Sequence, residues 1–218
     1  MYMLNEFKKG DEYRDTGSWR YRYDDQFSLA FASGNKSIEN CGGIRRRYFI
    51  SDIDCFRNKS NFQRIPSVLV LVTRKGDVPG PENPWNDKIS DNNLIYHGDN
   101  KYPKPFHEIK GCQNLLNIFN LKNSSQENLI PPILHFQKNK SGYVVFTGRY
   151  ELENIEVYPF IFKGFHIENL KCYLKLTSET INMEWIRDRS MAKNIQNLET
   201  IDNSYVNTKK ETKILELL

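Results

Sequence analysis

The sequence has no long apolar stretch and few cysteines, and these absences exclude several classes of protein. No apolar run approaches the roughly 18 residues that a membrane-spanning helix needs, and the start of the chain has no apolar segment of the secretory type. The four cysteines among the 218 residues form no Cys-x-x-Cys pair, which argues against a zinc finger or a thioredoxin-like motif. We therefore expect a cytoplasmic protein with reduced thiols and no membrane partner.

The patterns of common catalytic sites are also missing. The sequence has no P-loop, no Gly-x-Ser-x-Gly and no Gly-x-Gly-x-x-Gly. Glu108–Lys110 and Glu211–Lys213 match the Glu-x-Lys part of a metal-dependent nuclease site, in which carboxylates hold a divalent ion. Neither has an Asp at the spacing of a strand hairpin, and Glu-x-Lys arises readily by chance in a chain with 27% charged residues. The sequence thus predicts no catalytic residue, metal or cofactor in this chain.

Positive charge is concentrated near the N-terminus, although the net charge of the whole chain is only +4. Residues 1–75 carry 14 Lys and Arg against nine Asp and Glu, and nine of the 12 arginines lie there. Residues 76–218 have a net charge of −1. Because Arg suits bidentate contacts to phosphate and guanine, the asymmetry favours a nucleic-acid face, with an ordinary solvated surface as the alternative.

Short apolar segments separated by turn residues predict a chain rich in strands. Ser67–Thr73 is a continuous apolar run and is predicted to be a buried central strand, while Lys138–Gly142 is predicted to be the turn of a hairpin. Helices are predicted over Gln113–Leu121 and Glu184–Leu198, where apolar residues recur at helical spacing. The other predicted strands are Phe27–Phe31, Arg47–Ser51, Asn93–His97, Ile133–Gln137, Tyr143–Thr147, Tyr150–Phe162 and Tyr173–Leu176.

These elements predict a mostly β, α+β domain around a barrel or curved sheet, with a few flanking helices. Residues 1–200 are predicted to form one domain, and the polar tail 201–218 is predicted to be a linker or the start of a following segment. The loop Gly76–Ser90 is rich in Pro, Gly and Asn and is too long for a plain connector, which favours a functional role.

An aromatic and basic segment, Trp19–Tyr23, is the first candidate binding cluster. Alternation along an extended segment would put its three rings on one face and Arg20 and Arg22 on the other. Rings beside guanidiniums can stack bases and hold phosphate. The alternative is a strand with one core face and one solvated basic face.

The second cluster is a run of three arginines, Arg45, Arg46 and Arg47, which follows two glycines. Glycine allows a partner to approach the backbone closely. Adjacent arginines repel one another unless a polyanion or carboxylates offset their charge, so this run is the most specific basic signal in the chain and predicts contact with nucleic acid.

The third cluster pairs the segment Pro84–Asp87, with an exposed-looking Trp, with the polar segment Tyr96–Lys101. Asn and Asp side chains could read base edges and the rings could stack a base, so we expect the two segments to lie together and shape one reading surface. The alternative is a turn held by Asx hydrogen bonds. The candidate contacts are Trp85, Asn86, Asp87, Tyr96, His97, Asp99, Asn100, Lys101 and Lys104.

This third cluster carries a family resemblance. The stretch NPWNDKISDNNLIYHGDNKYPKPFHEIKGCQNLL resembles the N-terminal region of AspBHI-type restriction endonucleases, in which a Pro-Trp-x-Asp segment precedes a Tyr-x-Gly-Asp-Asn-Lys/Arg segment, a Gly-containing stretch and a helix. IPPILHFQ, GYVVFTGRYEL and INMEWIRDR also fit, so the resemblance spans roughly residues 65–190. Two features depart from the family pattern: Gly111–Asn114 replaces an expected Gly-Asn pair, and the arginine-rich start has no matching motif.

The resemblance implies a function as well as a fold. Modules of this kind are similar to SRA-like or PUA-like readers of modified double-stranded DNA, attached to a separate nuclease domain or subunit of a restriction-modification system with a role in antiphage defence. Mg²⁺ would then be needed only in that nuclease.

Other interpretations remain open at this stage. The chain also resembles the DNA-recognition pseudobarrels of EcoRII-type and LlaJI-type enzymes, which read the major groove without extruding a base. A stand-alone metal-dependent nuclease and a protein-interaction domain that binds acidic partners are the alternatives outside DNA recognition.

The arginine run provides a first test. Replacing Arg45, Arg46 and Arg47 together by Ala should weaken binding to every duplex, because phosphate contacts carry no sequence information. The slope of log affinity against log salt concentration should also become shallower, by an amount that corresponds to the loss of up to about three phosphate contacts. Fluorescence anisotropy across a salt series measures both effects, and unchanged affinity would reject the assignment.

Overall fold

The computed structural model describes residues 4–15, 26–31, 39–41, 44–48, 66–75, 84–192 and 195–215. Two short 3-10 helices, Phe106–Glu108 and Glu127–Leu129, lie on either side of the helix Lys110–Lys122. The helices are α1 (Gln26–Ala30), α2 (Lys110–Lys122), α3 (Met183–Met191) and α4 (Ile195–Leu215). The strands are β1 (Glu6–Lys8), β2 (Glu12–Arg14), β3 (Glu39–Cys41), β4 (Ile44–Tyr48), β5 (Pro66–Arg74), β6 (Lys88–Ile89), β7 (Asn93–His97), β8 (Ile133–Lys140), β9 (Tyr143–Phe162), β10 (Phe165–Ser178) and β11 (Thr180–Asn182).

Among the described residues, nine strands form one large sheet and β1 pairs with β11 in a small one. The large sheet runs β3-β4-β5-β8-β9-β10-β7-β6, and β2 joins it by pairing with β9. The pair β5–β8 is parallel, whereas β8–β9 and β9–β10 are antiparallel. Strand β9 spans 20 residues and changes neighbours along its length, from β8 and β2 near its start to β10 over the rest.

Strand β5 is buried on both faces and divides the interior into two cores. Val68 and Val70 belong to the core beside α1 and α3, and Leu69 and Leu71 to the core beside α2. A strand covered on both sides needs apolar residues at successive positions rather than alternating ones. The prediction of a buried central strand over Ser67–Thr73 is therefore confirmed.

The first core is dominated by phenylalanine. Phe7, Phe27, Phe31, Phe136 and Phe146 are all fully buried, and the rings of Phe27 and Phe136 lie 4.8 Å apart in an edge-on arrangement. The prediction of a strand over Phe27–Phe31 was wrong, because α1 spans Gln26–Ala30. The four-residue spacing of Phe27 and Phe31 suits one face of a helix, and both rings reach the same core.

The second core packs α2 against the sheet. Cys112, Leu115 and Ile118, at three-residue spacing, are buried against strands β7, β9 and β10. The predicted helix Gln113–Leu121 is confirmed and is longer at its N-terminal end. Strands over Asn93–His97, Ile133–Gln137 and Tyr143–Thr147 are confirmed, and so is the hairpin between the last two, whose turn is shortened to Ser141 and Gly142.

The predicted helix Glu184–Leu198 is two helices. The Asn182 side chain caps α3 by accepting a hydrogen bond from the Glu184 amide at 2.7 Å. Ala192 then adopts an extended conformation that ends α3. The break allows α4 to pack back on α3, so that the Asp202 carboxylate accepts a hydrogen bond from Trp185 Nε1 at 2.8 Å. One continuous helix could not bring residues 17 positions apart into contact.

The polar tail is more ordered than its composition indicates. Helix α4 continues to Leu215, so residues 201–215, predicted to belong to a linker or to the start of a following segment, are helical. The predicted domain boundary at residue 200 stays a prediction. In the described part of the chain no helix is long and apolar enough to span a membrane.

A buried histidine makes the stability of this fold sensitive to pH. His135 on β8 is fully buried, with Nδ1 2.6 Å from Thr147 Oγ1 and its ring between those of Tyr96 and Tyr150. Burial lowers the pKa of His135 to about 3, whereas histidine in an unfolded chain has a pKa of about 6.5. Below that value the unfolded chain takes up a proton that the folded chain does not, so stability falls between about pH 6.5 and pH 3.

We expect His135→Gln to flatten this dependence, because it removes the titrating group. The slope it removes approaches ~1.4 kcal/mol per pH unit, measured as the free energy of urea unfolding at several pH values between 7.5 and 4. His166 is exposed on β10, so His166→Gln is the control and should keep the wild-type slope. Equal slopes for the wild type and His135→Gln would contradict the assignment.

Candidate nucleic-acid interface

The candidate site lies where β7 ends and the β9–β10 hairpin continues. Lys171 on β10 pairs with His97, the last residue of β7, and the hairpin then continues as far as Phe162 and Phe165. The segment 84–87 and the residues after His97 lie beside this extension. We call the group formed there the aromatic site: Trp85, Asp87, His97, Lys101, Tyr158 and Phe160.

An acid–histidine pair fixes one side of the aromatic site. Asp87 Oδ1 accepts a hydrogen bond from the His97 backbone amide at 2.9 Å and lies 2.9 Å from His97 Nδ1. The side chains of His97 and Asp87 are only 4% and 9% exposed. Among the described residues His97 is the sole hydrogen-bond partner of this carboxylate. Oδ2 of Asp87 therefore has lone pairs available to a donor on a ligand.

Aromatic rings form the other sides. The ring of Trp85 lies edge-on to that of Phe160, with 6.3 Å between centroids, and Lys101 Nζ lies 5.1 Å from the Trp85 centroid. Tyr158 stacks on Phe160 at 5.9 Å and contacts the His97 ring at 4.9 Å. An ammonium group within about 6 Å of an indole is attracted by its π face. The aromatic site thus combines flat apolar surfaces, a cation and a carboxylate.

A buried amide network holds the loop 98–101 in place. The Asn169 side chain donates to the Gly98 carbonyl and accepts from the Asn100 amide at 3.3 Å. Asn100 Nδ2 donates to the carbonyls of Lys104 and Glu168, at 2.9 and 2.7 Å. A Cβ at Gly98 would come within 2.6 Å of Cys112 Sγ, so only glycine fits there. This loop is rigid because its polar groups are bonded inside the protein.

The two segments predicted to lie together do so. The Asp87–His97 pair and the contact between Trp85 and Lys101 join the segments directly. That Asp87, His97 and Lys101 bind DNA stays a prediction.

Three of the residues predicted to contact DNA are enclosed by the protein instead. Trp85, expected to be exposed, is only 9% exposed. Tyr96 is buried in the second core, where burial raises its pKa, and it does not offer a stacking surface. Asn100 is fully buried, and its side chain is hydrogen-bonded to its own loop. This matches the alternative in which Asx hydrogen bonds hold a turn.

The remaining predicted contacts are placed as follows. Asn86 is exposed next to the aromatic site, and Asp99 is partly buried in the loop. Lys104 is exposed with Nζ 5.7 Å from the Tyr102 centroid. Arg20 and Arg22 lie outside the described residues. The roles of all five in DNA binding stay predictions.

The arginine run lies near the other end of the sheet. Arg45, Arg46 and Arg47 are on β4, paired with Val70, Leu69 and Val68 of β5, and their side chains lie outside the described part of the structure. Four strands separate β4 from β7 along the sheet. The sequence-predicted basic and aromatic clusters therefore belong to different parts of the sheet.

Sequence reasoning missed Tyr158, Phe160 and Asn169. A signal for the first two was present, because aromatic residues recur at alternate positions in Tyr158-Pro-Phe-Ile-Phe162. Asn169 gave no such signal, since a single Asn within a strand pattern does not reveal which loop it will contact.

Three solved structures share this fold. The MspJI restriction endonuclease, solved in complex with a 27-mer oligonucleotide, has a TM-score of 0.71 at 19% identity and covers 89% of this chain and 48% of its own. The DNA recognition domain of the cytosine modification-dependent restriction endonuclease LpnPI has a TM-score of 0.60 at 22% identity and covers 86% and 81%. The DNA modification-dependent restriction endonuclease AspBHI has a TM-score of 0.55 at 23% identity and covers 70% and 39%.

The mostly β, α+β fold is thus confirmed as that of the DNA-recognition domains of restriction endonucleases. Residues 8–216 match the family described as restriction endonuclease AspBHI N-terminal, and the chain belongs to that family. The chain spans about half of MspJI and less of AspBHI, with 48% and 39% of their lengths covered. Among curated proteins, none is similar enough in sequence to count as a match.

The amide network predicts a local stability effect. Asn169→Ala would leave the Gly98 carbonyl and the Asn100 amide without their buried partner, at a cost of ~1–3 kcal/mol in the free energy of unfolding. Hydrogen exchange of the amides of residues 98–100 should also become faster. Asn154→Ala, at an exposed position on β9, is the control. Unchanged protection of the loop in Asn169→Ala would rule out the proposed clamp.

Proposed function

We propose that this chain is the DNA-reading module of a restriction system and that its aromatic site receives a modified cytosine extruded from duplex DNA. The observation that carries the proposal is the available oxygen of Asp87 beside the rings of Trp85, Tyr158 and Phe160. A carboxylate accepts a hydrogen bond from the N4 amino group of cytosine, whereas thymine offers a carbonyl at the same place. Flat rings supply the stacking surface that an extruded base needs.

The burial of the site supports extrusion rather than reading within the groove. The Asp87 side chain is 9% exposed and Trp85 is equally enclosed. A base that remains stacked in the duplex cannot bring its edge to atoms this deep, so it has to leave the helix. The cost of unstacking is offset by the new contacts and by phosphate contacts around the site.

Family membership supports the same function. Two of the relatives are a DNA modification-dependent and a cytosine modification-dependent restriction endonuclease. We extend this to the chain and place the cutting activity, with its Mg²⁺, in a nuclease domain or partner subunit. Arg20, Arg22, Arg45, Arg46 and Arg47 then serve as phosphate contacts outside the base site. The buried, unbridged Cys112 and Cys172 suit the reducing cytoplasm.

The experiment compares duplexes that are identical except for one cytosine, either 5-methylated or unmodified. We expect tighter binding of the modified duplex by the wild type. In Asp87→Ala this binding should weaken about tenfold or more, because a hydrogen bond to a charged acceptor is lost. Asp91→Ala removes the same charge at an exposed position and should bind as the wild type does.

Extrusion itself is measured with 2-aminopurine opposite or beside the target base, whose fluorescence rises when stacking is lost. A modified duplex bound without this rise would indicate reading in the groove. Equal affinity of wild type and Asp87→Ala would remove Asp87 from the site. No binding to any duplex would favour an interaction domain for acidic partners, and Mg²⁺-dependent cleavage lost in Glu108→Ala would favour a nuclease.

A further inference from the structure

A second concave feature lies between α2, β9, α3 and α4 and shares no residue with the aromatic site. It is a cavity of about 330 Å³. Its lining includes three cationic side chains, Arg149, Arg189 and Lys122, together with Trp185 and Asp202. Glu127 and Glu151 complete a set of three carboxylates, so the question is whether the cationic groups keep hydrogen-bond donors for an added anion.

Two guanidinium groups flank one indole in this cavity. The Cζ atoms of Arg149 and Arg189 lie 5.6 and 5.7 Å from the centroid of Trp185. Asp202 accepts a hydrogen bond from Trp185 with one carboxylate oxygen and forms an ion pair with Arg189 through the other. Both oxygens of this carboxylate are therefore used, and of the two arginines it forms an ion pair with Arg189.

The arginines have hydrogen-bond donors that the protein does not use. Arg189 is 1% exposed; its Nε donates to the Ser67 carbonyl at 3.1 Å and its Nη1 to Asp202, while Nη2 is buried with no partner among the described residues. Arg149 Nε donates to Thr177 Oγ1 at 3.1 Å. Its terminal nitrogens contact no acceptor within the described ranges. Buried donors are normally satisfied, so an arginine left unsatisfied indicates a missing acceptor.

Burial penalises the positive charge of both arginines, and a bound anion would offset that penalty. Burial lowers the pKa of both arginines, and the charge of Arg189 lowers that of Arg149 further, against the opposing effect of Glu151 and Asp202. Lys122 adds a third positive charge, with Nζ 2.8 Å from the Leu152 carbonyl. Glu127 and Glu151 also line the cavity at exposed positions, and Glu151 partly offsets the charge of Arg149.

We propose that this cavity binds a phosphate group, held by the unused nitrogens of Arg149 and Arg189. The planar fork of guanidinium matches the oxygens of a phosphate and forms paired, charge-assisted hydrogen bonds with them. The phosphate comes from a free phosphate or mononucleotide, or from the backbone of bound DNA. The site is independent of base recognition at the aromatic site.

Isothermal titration with inorganic phosphate, against chloride at the same ionic strength, tests the proposal. The wild type should bind one phosphate per chain, and Arg149→Gln should weaken that binding about tenfold or more. Arg149→Lys keeps the charge but loses the fork, and should bind several-fold more weakly. Lys175→Gln removes a positive charge from an exposed position on β10 and should bind normally.

The two sources are separated by repeating the titration with a saturating duplex present. Loss of phosphate binding assigns the site to the DNA backbone, and unchanged binding assigns it to a small phosphate ligand. Each variant is used after its melting temperature shows that it is folded. The proposal is overturned if the wild type shows no saturable phosphate binding, or if the folded Arg149 variants bind phosphate with wild-type affinity. Either outcome counts regardless of whether the aromatic site binds a base.

Discussion

The hydrogen-bond ladder of strand β9 is the constraint on which the rest of the structure depends. Its first residues pair with β2 and β8 and its last with β10, so one continuous strand of 20 residues belongs to both cores and to the aromatic site. Backbone groups must be paired when buried, and this requirement joins the three regions. Beyond the residues of β10 that pair with β7, the β9–β10 hairpin continues, and there Phe160 contacts Trp85.

The two concave sites use buried charge in complementary ways. At the aromatic site a carboxylate, Asp87, shares one oxygen with His97 and retains an acceptor for a base. In the cavity Arg189 shares one nitrogen with Asp202 and retains a donor. A buried charge without a partner is costly, and a charge with all its sites occupied binds nothing more. Half-satisfied charges of opposite sign therefore leave an acceptor at one site and a donor at the other.

Local pattern predicted much of the fold and part of the site. The predictions of strands over Ser67–Thr73 and Asn93–His97 were correct, because burial in a sheet selects a recognisable pattern of apolar residues. The proximity of the segments Trp85–Asp87 and Tyr96–Lys101 was also predicted correctly, because both motifs lie in one stretch that resembles the reader family. Phe27–Phe31 was wrong because four-residue spacing in a short segment is compatible with both helix and strand. The enclosure of Trp85 and Tyr96 depends on strands far away in the chain, which local pattern does not contain.

By itself, the sequence determined the mostly β character, the pairing of a Trp-x-Asp segment with a polar loop, and the membership of a restriction-endonuclease family, because these depend on residue types and short spacings. Only the tertiary structure decided which side chains face a ligand. It brought Phe160 to Trp85 and folded Asp202 back onto Arg189, and it placed four strands between the arginine run on β4 and His97 on β7. The physical reason is that contacts between distant segments follow from strand order and helix packing, which depend on how the whole chain excludes water from its two cores.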